Sequence, residues 1–101
     1  MELEKITEEG KITLTIRGRI DTQTAPEFQE QLDLLFAEPA LNLVLDFKDV
    51  EYISSAGLRT VLYAQKRIND MPNSSMKLIN VSADVLDVFS MTGFTDFLII
   101  E

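Results

Sequence analysis

Two periodicities alternate along the chain, and together they predict strands interleaved with helices. From Ile12 to Ile16 apolar and polar residues alternate one by one, which is typical of a half-buried strand. An earlier strand around Leu3 and Ile6 reaches it through the turn Glu8–Gly10. Because the connection is so short, we expect these two strands to form an antiparallel hairpin.

The first helix and the central strand come next. Thr24 and Glu27 form a capping box and apolar residues then recur at helical spacing, so a helix is predicted from Thr24 to Ala37. The near-continuous apolar run from Leu41 to Phe47 is typical of a strand that is covered on both faces. We therefore place this strand in the middle of the sheet.

The rest of the chain repeats the pattern of strand and helix. A second helix follows two serines and ends at the breaker cluster Asn69–Asn73, and a strand follows at Met76–Val81. Ser82 caps a short third helix that ends near Gly93, where glycine suits a left-handed C-terminal cap. The segment Phe97–Ile100 is predicted to be a last strand or a docking segment.

The resulting order of elements is β-β-α-β-α-β-α-β. Strand–helix–strand units predict parallel neighbours with right-handed crossovers, and the opening hairpin adds an antiparallel strand. The predicted fold class is therefore α/β, a small mixed β-sheet layered with α-helices. Residues 1–101 are expected to form a single domain.

Composition and charge narrow the functions that such a domain can have. The chain has no histidine and no cysteine, which excludes Ser-His-Asp and Cys-His catalysis and removes the usual zinc ligands. Nine basic residues against seventeen acidic ones give a net charge of −8, so nucleic-acid binding is not expected. No glycine-rich phosphate loop is present, and no cofactor is expected. Without a signal peptide or an apolar run of about 20 residues, the protein is predicted to be cytoplasmic, with no membrane insertion.

The most informative stretch joins the central strand to the second helix. Ser55 stands at the predicted N-cap, and serine is among the best N-caps, so capping alone accounts for it. Gly57 costs about 1 kcal/mol relative to alanine in a first helical turn, which indicates that something approaches the backbone closely there. A phosphate on Ser55 would lie at the positive end of the helix dipole.

Several acidic residues are candidates for chemistry. Asp21 precedes the first helix, where a local hydrogen bond with Thr22 or Thr24 is at least as well supported as a functional role. The spacing of Asp46 and its acidic neighbours does not match a calcium loop, so these are interpreted as surface charge. A small carboxylate-based enzyme using Asp21 and Asp46 is an alternative, but the two acids have no recognisable catalytic spacing.

The order of elements and two sequence stretches make the chain similar to a known family. The first stretch is Ile16–Asp21 with Phe28 and Leu32 after it, and the second runs from Leu45 to Leu58. The chain resembles the STAS-domain family, and within it the bacterial anti-sigma factor antagonists that act by partner switching. The resemblance covers essentially the whole chain.

The resemblance implies a non-enzymatic switch. In that family the unphosphorylated protein binds an anti-sigma factor that is also a serine kinase, and thereby frees a sigma factor. The kinase phosphorylates the serine that corresponds to Ser55, which breaks the complex, and a metal-dependent serine phosphatase restores it. The aspartate that lies near this serine in the family corresponds to Asp21.

Two departures from the family pattern leave alternatives open. Ser54 replaces a frequent aspartate, so Ser54 is an alternative phosphoacceptor, and Arg59 replaces a small residue at a spacing that suits pairing with a phosphate on Ser55. An alternative function is a STAS subunit of a larger assembly, such as a lipid-transport ATPase complex. The predicted partner-binding residues are Asp21, Thr22, Ser54, Ser55, Ala56, Gly57, Leu58 and Arg59.

Overall fold

The computed structural model describes residues 1–101, which form one four-stranded sheet and three helices. The strands are β1 (Glu2–Glu8), β2 (Lys11–Ile20), β3 (Asn42–Ile53) and β4 (Ser75–Ile79), and the helices are α1 (Ala25–Leu35), α2 (Ser55–Asn69) and α3 (Ala83–Met91). The strands lie in the order β1-β2-β3-β4. β1 is antiparallel to β2, and β3 is parallel to both of its neighbours. The predicted mixed sheet with an opening hairpin is confirmed.

The central strand β3 is longer than predicted because two register shifts keep its apolar residues inward. Leu43–Leu45 are all buried, as expected for a strand between two neighbours. Phe47, Val50 and Ile53 are also buried although they are spaced three apart, which a strict period of two would not allow. The pairing of β2 with β3 shifts register twice before Ile20, and these bulges re-aim the side chains.

Helix α1 begins where expected, but the predicted capping box does not form. Thr24 occupies the N-cap position, yet its side chain makes no bond to the first helical turn. Its hydroxyl instead donates to the carbonyl of Arg19 at 2.8 Å and accepts from the N–H of Asp21 at 2.9 Å. The Thr24 hydroxyl therefore stabilises the loop between β2 and α1. Glu27 has no capping role.

The eighth element of the predicted order, a final strand, is wrong. Ile100 forms a single parallel bridge with Leu78, whose N–H donates to the carbonyl of Ile99 at 2.8 Å. Leu98 is buried in the core and anchors the segment. One bridge does not make a strand, so the docking alternative describes this part of the chain.

A cluster of 22 buried residues joins the sheet to all three helices. Its largest side chains include Phe28 of α1, Phe47 of β3 and Phe89 of α3, and the last two rings have centroids 6.3 Å apart. None of the three helices is long and apolar enough to cross a bilayer. The core holds α1 and α2 next to each other, and both helices begin just beyond the ends of β2 and β3.

Candidate functional site

Ser54, and not Ser55, is the N-cap of α2. Ser54 has extended backbone, and its hydroxyl accepts from the N–H of Gly57 at 3.3 Å. Its carbonyl accepts from the N–H of Leu58 at 2.9 Å. The cap assignment predicted for Ser55 is therefore wrong by one residue, because β3 runs on to Ile53 and places the extended position at Ser54.

Ser55 is consequently the first residue inside the helix. Its side chain is exposed and its hydroxyl makes no hydrogen bond. Since Ser54 satisfies the N–H groups of Gly57 and Leu58, those of Ser55 and Ala56 are left without an intrahelical partner. This arrangement offers a free hydroxyl beside free backbone donors and the positive end of the helix dipole.

Gly57 and Leu58 are buried beneath the first turn of α2 and do not reach the surface of the site. A Cβ built on Gly57 would lie 2.6 Å from Cγ2 of Ile20 and 2.9 Å from the carbonyl oxygen of Ile20. The close approach that the sequence indicated at Gly57 therefore comes from the sheet and not from a partner. Leu58 is 4% exposed and belongs to the core. Both residues are buried in the free domain, and their contact with a partner stays a prediction.

The loop that carries Asp21 lies next to the serines. The N–H of Ser54 donates to the carbonyl of Ile20 at 2.8 Å, which ties the ends of β2 and β3 together. The Asp21 carboxylate accepts from the N–H groups of Thr24 at 3.1 Å and Gln23 at 3.0 Å. The hydrogen bond from Thr24 is the main cause that lowers the pKa of Asp21. The expected local hydrogen bond with Thr24 is thus present, and the loop is fixed beside the helix start.

A groove of about 760 Å³ runs between α1 and α2 and begins at this loop. Three predicted residues, Thr22, Ala56 and Arg59, line it. The residues that form the rest of its walls were not predicted, because in the sequence they resemble ordinary solvent-facing positions of two helices. These residues are Ala25, Pro26, Gln29, Glu30, Asp33, Leu34, Thr60 and Tyr63.

A hydrogen bond between Tyr63 of α2 and Asp33 of α1 joins the two helices in the part of the groove farther from the Asp21 loop. The Tyr63 hydroxyl donates to the Asp33 carboxylate at 2.6 Å, and this bond raises the pKa of Tyr63 because ionisation would break it. Arg67 donates to the same hydroxyl at 3.2 Å. The contact fixes the distance between the helices and so the width of the groove.

Arg59 stands between the groove and the serines. It lies one helical turn after Ser55, is exposed, and takes part in none of the five ion pairs of the structure. Side chains four residues apart share one helix face, so the guanidinium is placed on the same side of α2 as the Ser55 hydroxyl. Its donors are available to an anion at that position.

The other acidic candidates do not join this site. Asp46 accepts from the N–H of Lys48 at 3.0 Å and from the side chain of Asn80 at 3.1 Å, a local structural role. It pairs in register with Thr15, six residues before Asp21 on the neighbouring strand, which corresponds to roughly 20 Å along the strand. No group of three or more acidic residues is arranged to hold a metal ion. The two aspartates are too far apart to act on one bond.

Alanine substitution of the serines separates a capping role from a surface role. Ser54→Ala removes the acceptor for Gly57, so we expect the free energy of unfolding to fall by about 1 kcal/mol, or roughly 4–8 °C in melting temperature. Ser55→Ala should change it by less than about 0.5 kcal/mol, because its hydroxyl has no partner. Thermal melts followed by circular dichroism measure both. An equal loss in the two variants would contradict the cap assignment.

Comparisons with known proteins show the family of this chain and its fold. The family model described as STAS domain matches residues 2–101. An anti-sigma-B factor antagonist from Bacillus subtilis (strain 168) is 35% identical over 90 residues, which cover 89% of this chain and 81% of that protein. The match leaves out only about a tenth of the chain. A continuous match of this length therefore includes both serines and the Asp21 loop wherever it begins.

Solved structures share the fold. An anti-sigma factor antagonist from Mycobacterium paratuberculosis has a TM-score of 0.84 at 20% identity, covering 98% of this chain and 83% of that one. The anti-sigma factor antagonist SpoIIAA in its unphosphorylated form has a TM-score of 0.78 at 14% identity, covering 99% and 88%. The Bacillus protein SpoIIAA in its phosphorylated form has a TM-score of 0.72 at 13% identity, covering 99% and 91%. At these identities the likeness shows the fold.

Proposed function

This chain belongs to the STAS domain family of anti-sigma factor antagonists, and we propose that it acts in the cytoplasm by partner switching. In its unphosphorylated form it binds an anti-sigma factor that is also a serine kinase, and so frees a sigma factor. Phosphorylation of Ser55 by that kinase ends the binding, and a metal-dependent serine phosphatase restores it. The chain itself is a regulatory binding module of one domain and not an enzyme.

One observation carries the proposal: of the two adjacent serines, Ser55 alone offers an exposed hydroxyl without a hydrogen bond. The hydroxyl of Ser54 accepts a hydrogen bond from the N–H of Gly57, so transfer of a phosphoryl group to that oxygen would disrupt the cap. Ser55 can receive a phosphate without loss of any contact within the fold. This supports Ser55 as the phosphoacceptor and Ser54 as its structural neighbour.

The charge of a phosphate explains how such a switch could work without unfolding the domain. A phosphoserine carries about −1.5 to −2 charges at neutral pH, and the first turn of α2 stabilises that charge in the free protein. The same surface must lose its water when it binds a partner, and removing water from a charged phosphate is costly. Phosphorylation therefore weakens the complex while it leaves the domain folded.

Binding measured with and without ATP tests the proposal. We expect the unphosphorylated protein to form a complex with the anti-sigma factor of its organism in the presence of ADP. Addition of ATP should dissociate the complex as phosphate is transferred, and size-exclusion chromatography separates the two states. A complex that survives ATP would contradict the switch and favour a permanent STAS subunit of a larger assembly.

Arg59 is expected to stabilise the phosphorylated form. Its guanidinium lies one turn from Ser55 without an ion-pair partner, so a phosphate there gains a charge-assisted contact. In the phosphorylated state, Arg59→Ala should lower the melting temperature by about 2–8 °C, equal to roughly 0.5–1 kcal/mol. In the unphosphorylated state it should lower it by much less. Equal differences in both states, measured by calorimetry, would show that Arg59 does not contact the phosphate.

A further inference from the structure

A second groove, of about 460 Å³, opens between α2 and the segment that follows α3. Its walls combine exposed aromatic side chains with the long side chains of α2. The residues that line it are Arg59, Leu62, Tyr63, Lys66, Phe94 and Phe97. We refer to this surface as the Phe94–Phe97 groove.

The two phenylalanines are fixed in exposed positions by the backbone. Gly93 adopts a left-handed conformation, as predicted, and the N–H of Phe94 donates to the carbonyl of Phe89 at 3.3 Å, which closes a Schellman motif at the end of α3. The N–H of Phe97 then donates to the carbonyl of Phe94 at 3.1 Å, and buried Leu98 anchors the segment. Phe94 is nevertheless 39% exposed and Phe97 43%. Ordered exposed aromatics of this kind mark interaction surfaces.

The charge of the groove differs from that of the molecule. The chain has seventeen acidic and nine basic residues, yet the groove is lined by two basic side chains and no acidic one. Neither Arg59 nor Lys66 takes part in an ion pair. The two cations lie seven residues apart, so they stand about 10 Å apart along α2 and flank the apolar floor.

We propose that the Phe94–Phe97 groove binds an amphipathic acidic segment of the protein partner. Apolar side chains of that segment would cover the two phenylalanines, and carboxylates two helical turns apart would pair with Arg59 and Lys66. The proposal rests on the proposed function, because Arg59 connects the groove to Ser55 within one turn of α2. It extends the binding surface along α2 toward the C-terminal segment.

Two other occupants fit the charge less well. A second copy that docks groove to groove would bring Arg59 and Lys66 of both copies together, which like-charge repulsion opposes. An anionic membrane would attract the two cations but repel a chain with a net charge of −8. An acidic protein segment contacts the molecule only at the groove, where Arg59 and Lys66 are its nearest charges, whereas a membrane presents a continuous anionic surface to the whole chain; beyond about 8 Å salt screens the remaining charges.

Two peptides test the groove without any assumption about the natural partner. The first is a helical peptide with Glu at positions i and i+7 and Leu at i+3 and i+4, and the second has Lys in place of both Glu residues. We expect the Glu peptide to bind about tenfold more tightly and to shift the NMR amide signals of Leu62, Phe94 and Phe97. Lys66→Glu should abolish this preference, because one attraction and one repulsion then oppose each other for either peptide. Equal affinities of the unaltered protein for the two peptides, signal shifts elsewhere, or binding to phosphatidylglycerol vesicles or a second copy instead would overturn the proposal.

Titration with the anti-sigma factor tests whether the partner uses this groove. Lys66→Glu and Phe97→Ser are each expected to weaken binding about tenfold, whereas Met91→Ser, which removes an 87% exposed side chain outside the groove, should not. Thermal melts establish that each variant is folded. If Ser55→Asp abolishes binding while Lys66→Glu leaves it unchanged, the groove proposal fails and the proposed function stands. If the unaltered protein does not bind the anti-sigma factor, the proposed function fails and the peptides decide the groove.

Discussion

Ser55→Asp is expected to weaken binding to the anti-sigma factor at least about 100-fold, which corresponds to roughly 2.7 kcal/mol. The substitution places a permanent negative charge on the exposed first residue of α2, and a partner that covers this residue must remove water from that charge. The fold should be unaffected, because an acidic residue in the first turn interacts favourably with the helix dipole by about 0.3–1 kcal/mol. Isothermal titration calorimetry measures the binding, and circular dichroism melts measure the stability.

The structure offers a matched control for this charge. Ala83 is the exposed first residue of α3 and follows Ser82, whose hydroxyl caps that helix by accepting from the N–H of Val85 at 3.3 Å. Ala83→Asp therefore adds the same charge at the equivalent position of another helix. It should leave binding unchanged, as should Ser55→Ala. If both Asp variants weaken binding equally, the effect comes from net charge and not from the site.

Gly57→Ala is expected to lower the free energy of unfolding by about 2 kcal/mol, or roughly 8–16 °C in melting temperature. Alanine gains about 1 kcal/mol of helix propensity over glycine, so the sign of the effect depends on the space around the new methyl group. That space is filled: the Cβ would lie 2.6 Å and 2.8 Å from side-chain carbons of Ile20 and Ile53 and 2.9 Å from a backbone oxygen. The oxygen cannot move aside without displacing the end of β2.

A double-mutant cycle with Ile20→Ala checks that the clash is the cause. Removing the Ile20 side chain takes away the nearest of the three atoms, so Gly57→Ala should cost at least about 0.5 kcal/mol less in that background. Chemical denaturation followed by circular dichroism gives all four free energies. A Gly57→Ala variant as stable as the unaltered protein would show that α2 does not need glycine to pack against the sheet.

The sequence was sufficient to predict the elements whose periodicity is strong. The hairpin, the central position of β3 and the left-handed end of α3 at Gly93 follow from local patterns that the tertiary structure reinforces. The C-terminal segment was ambiguous because a short apolar run suits a strand and a docked loop equally well. Only the anchoring of Leu98 and the single bridge of Ile100 distinguish them.

The details of the site could not be predicted to the residue. Ser54 and Ser55 are equally good caps in sequence, and the choice between them depends on bulges that extend β3 to Ile53. The glycine at position 57 indicates that a side chain is not tolerated there. The sequence does not show whether the group that lies so close is the sheet or a partner protein. The burial of Leu58, by contrast, follows from its position on the apolar face of α2 and was predictable from the spacing.

Mapping the phosphate by peptide mass spectrometry decides whether Ser55 is the phosphoacceptor. The protein, Ser54→Ala and Ser55→Ala would each be incubated with the anti-sigma serine kinase and ATP. We expect one phosphate on Ser55 in the unaltered protein and in Ser54→Ala, and none in Ser55→Ala. A phosphate on Ser54 or on a threonine, with Ser55 unmodified, would contradict it.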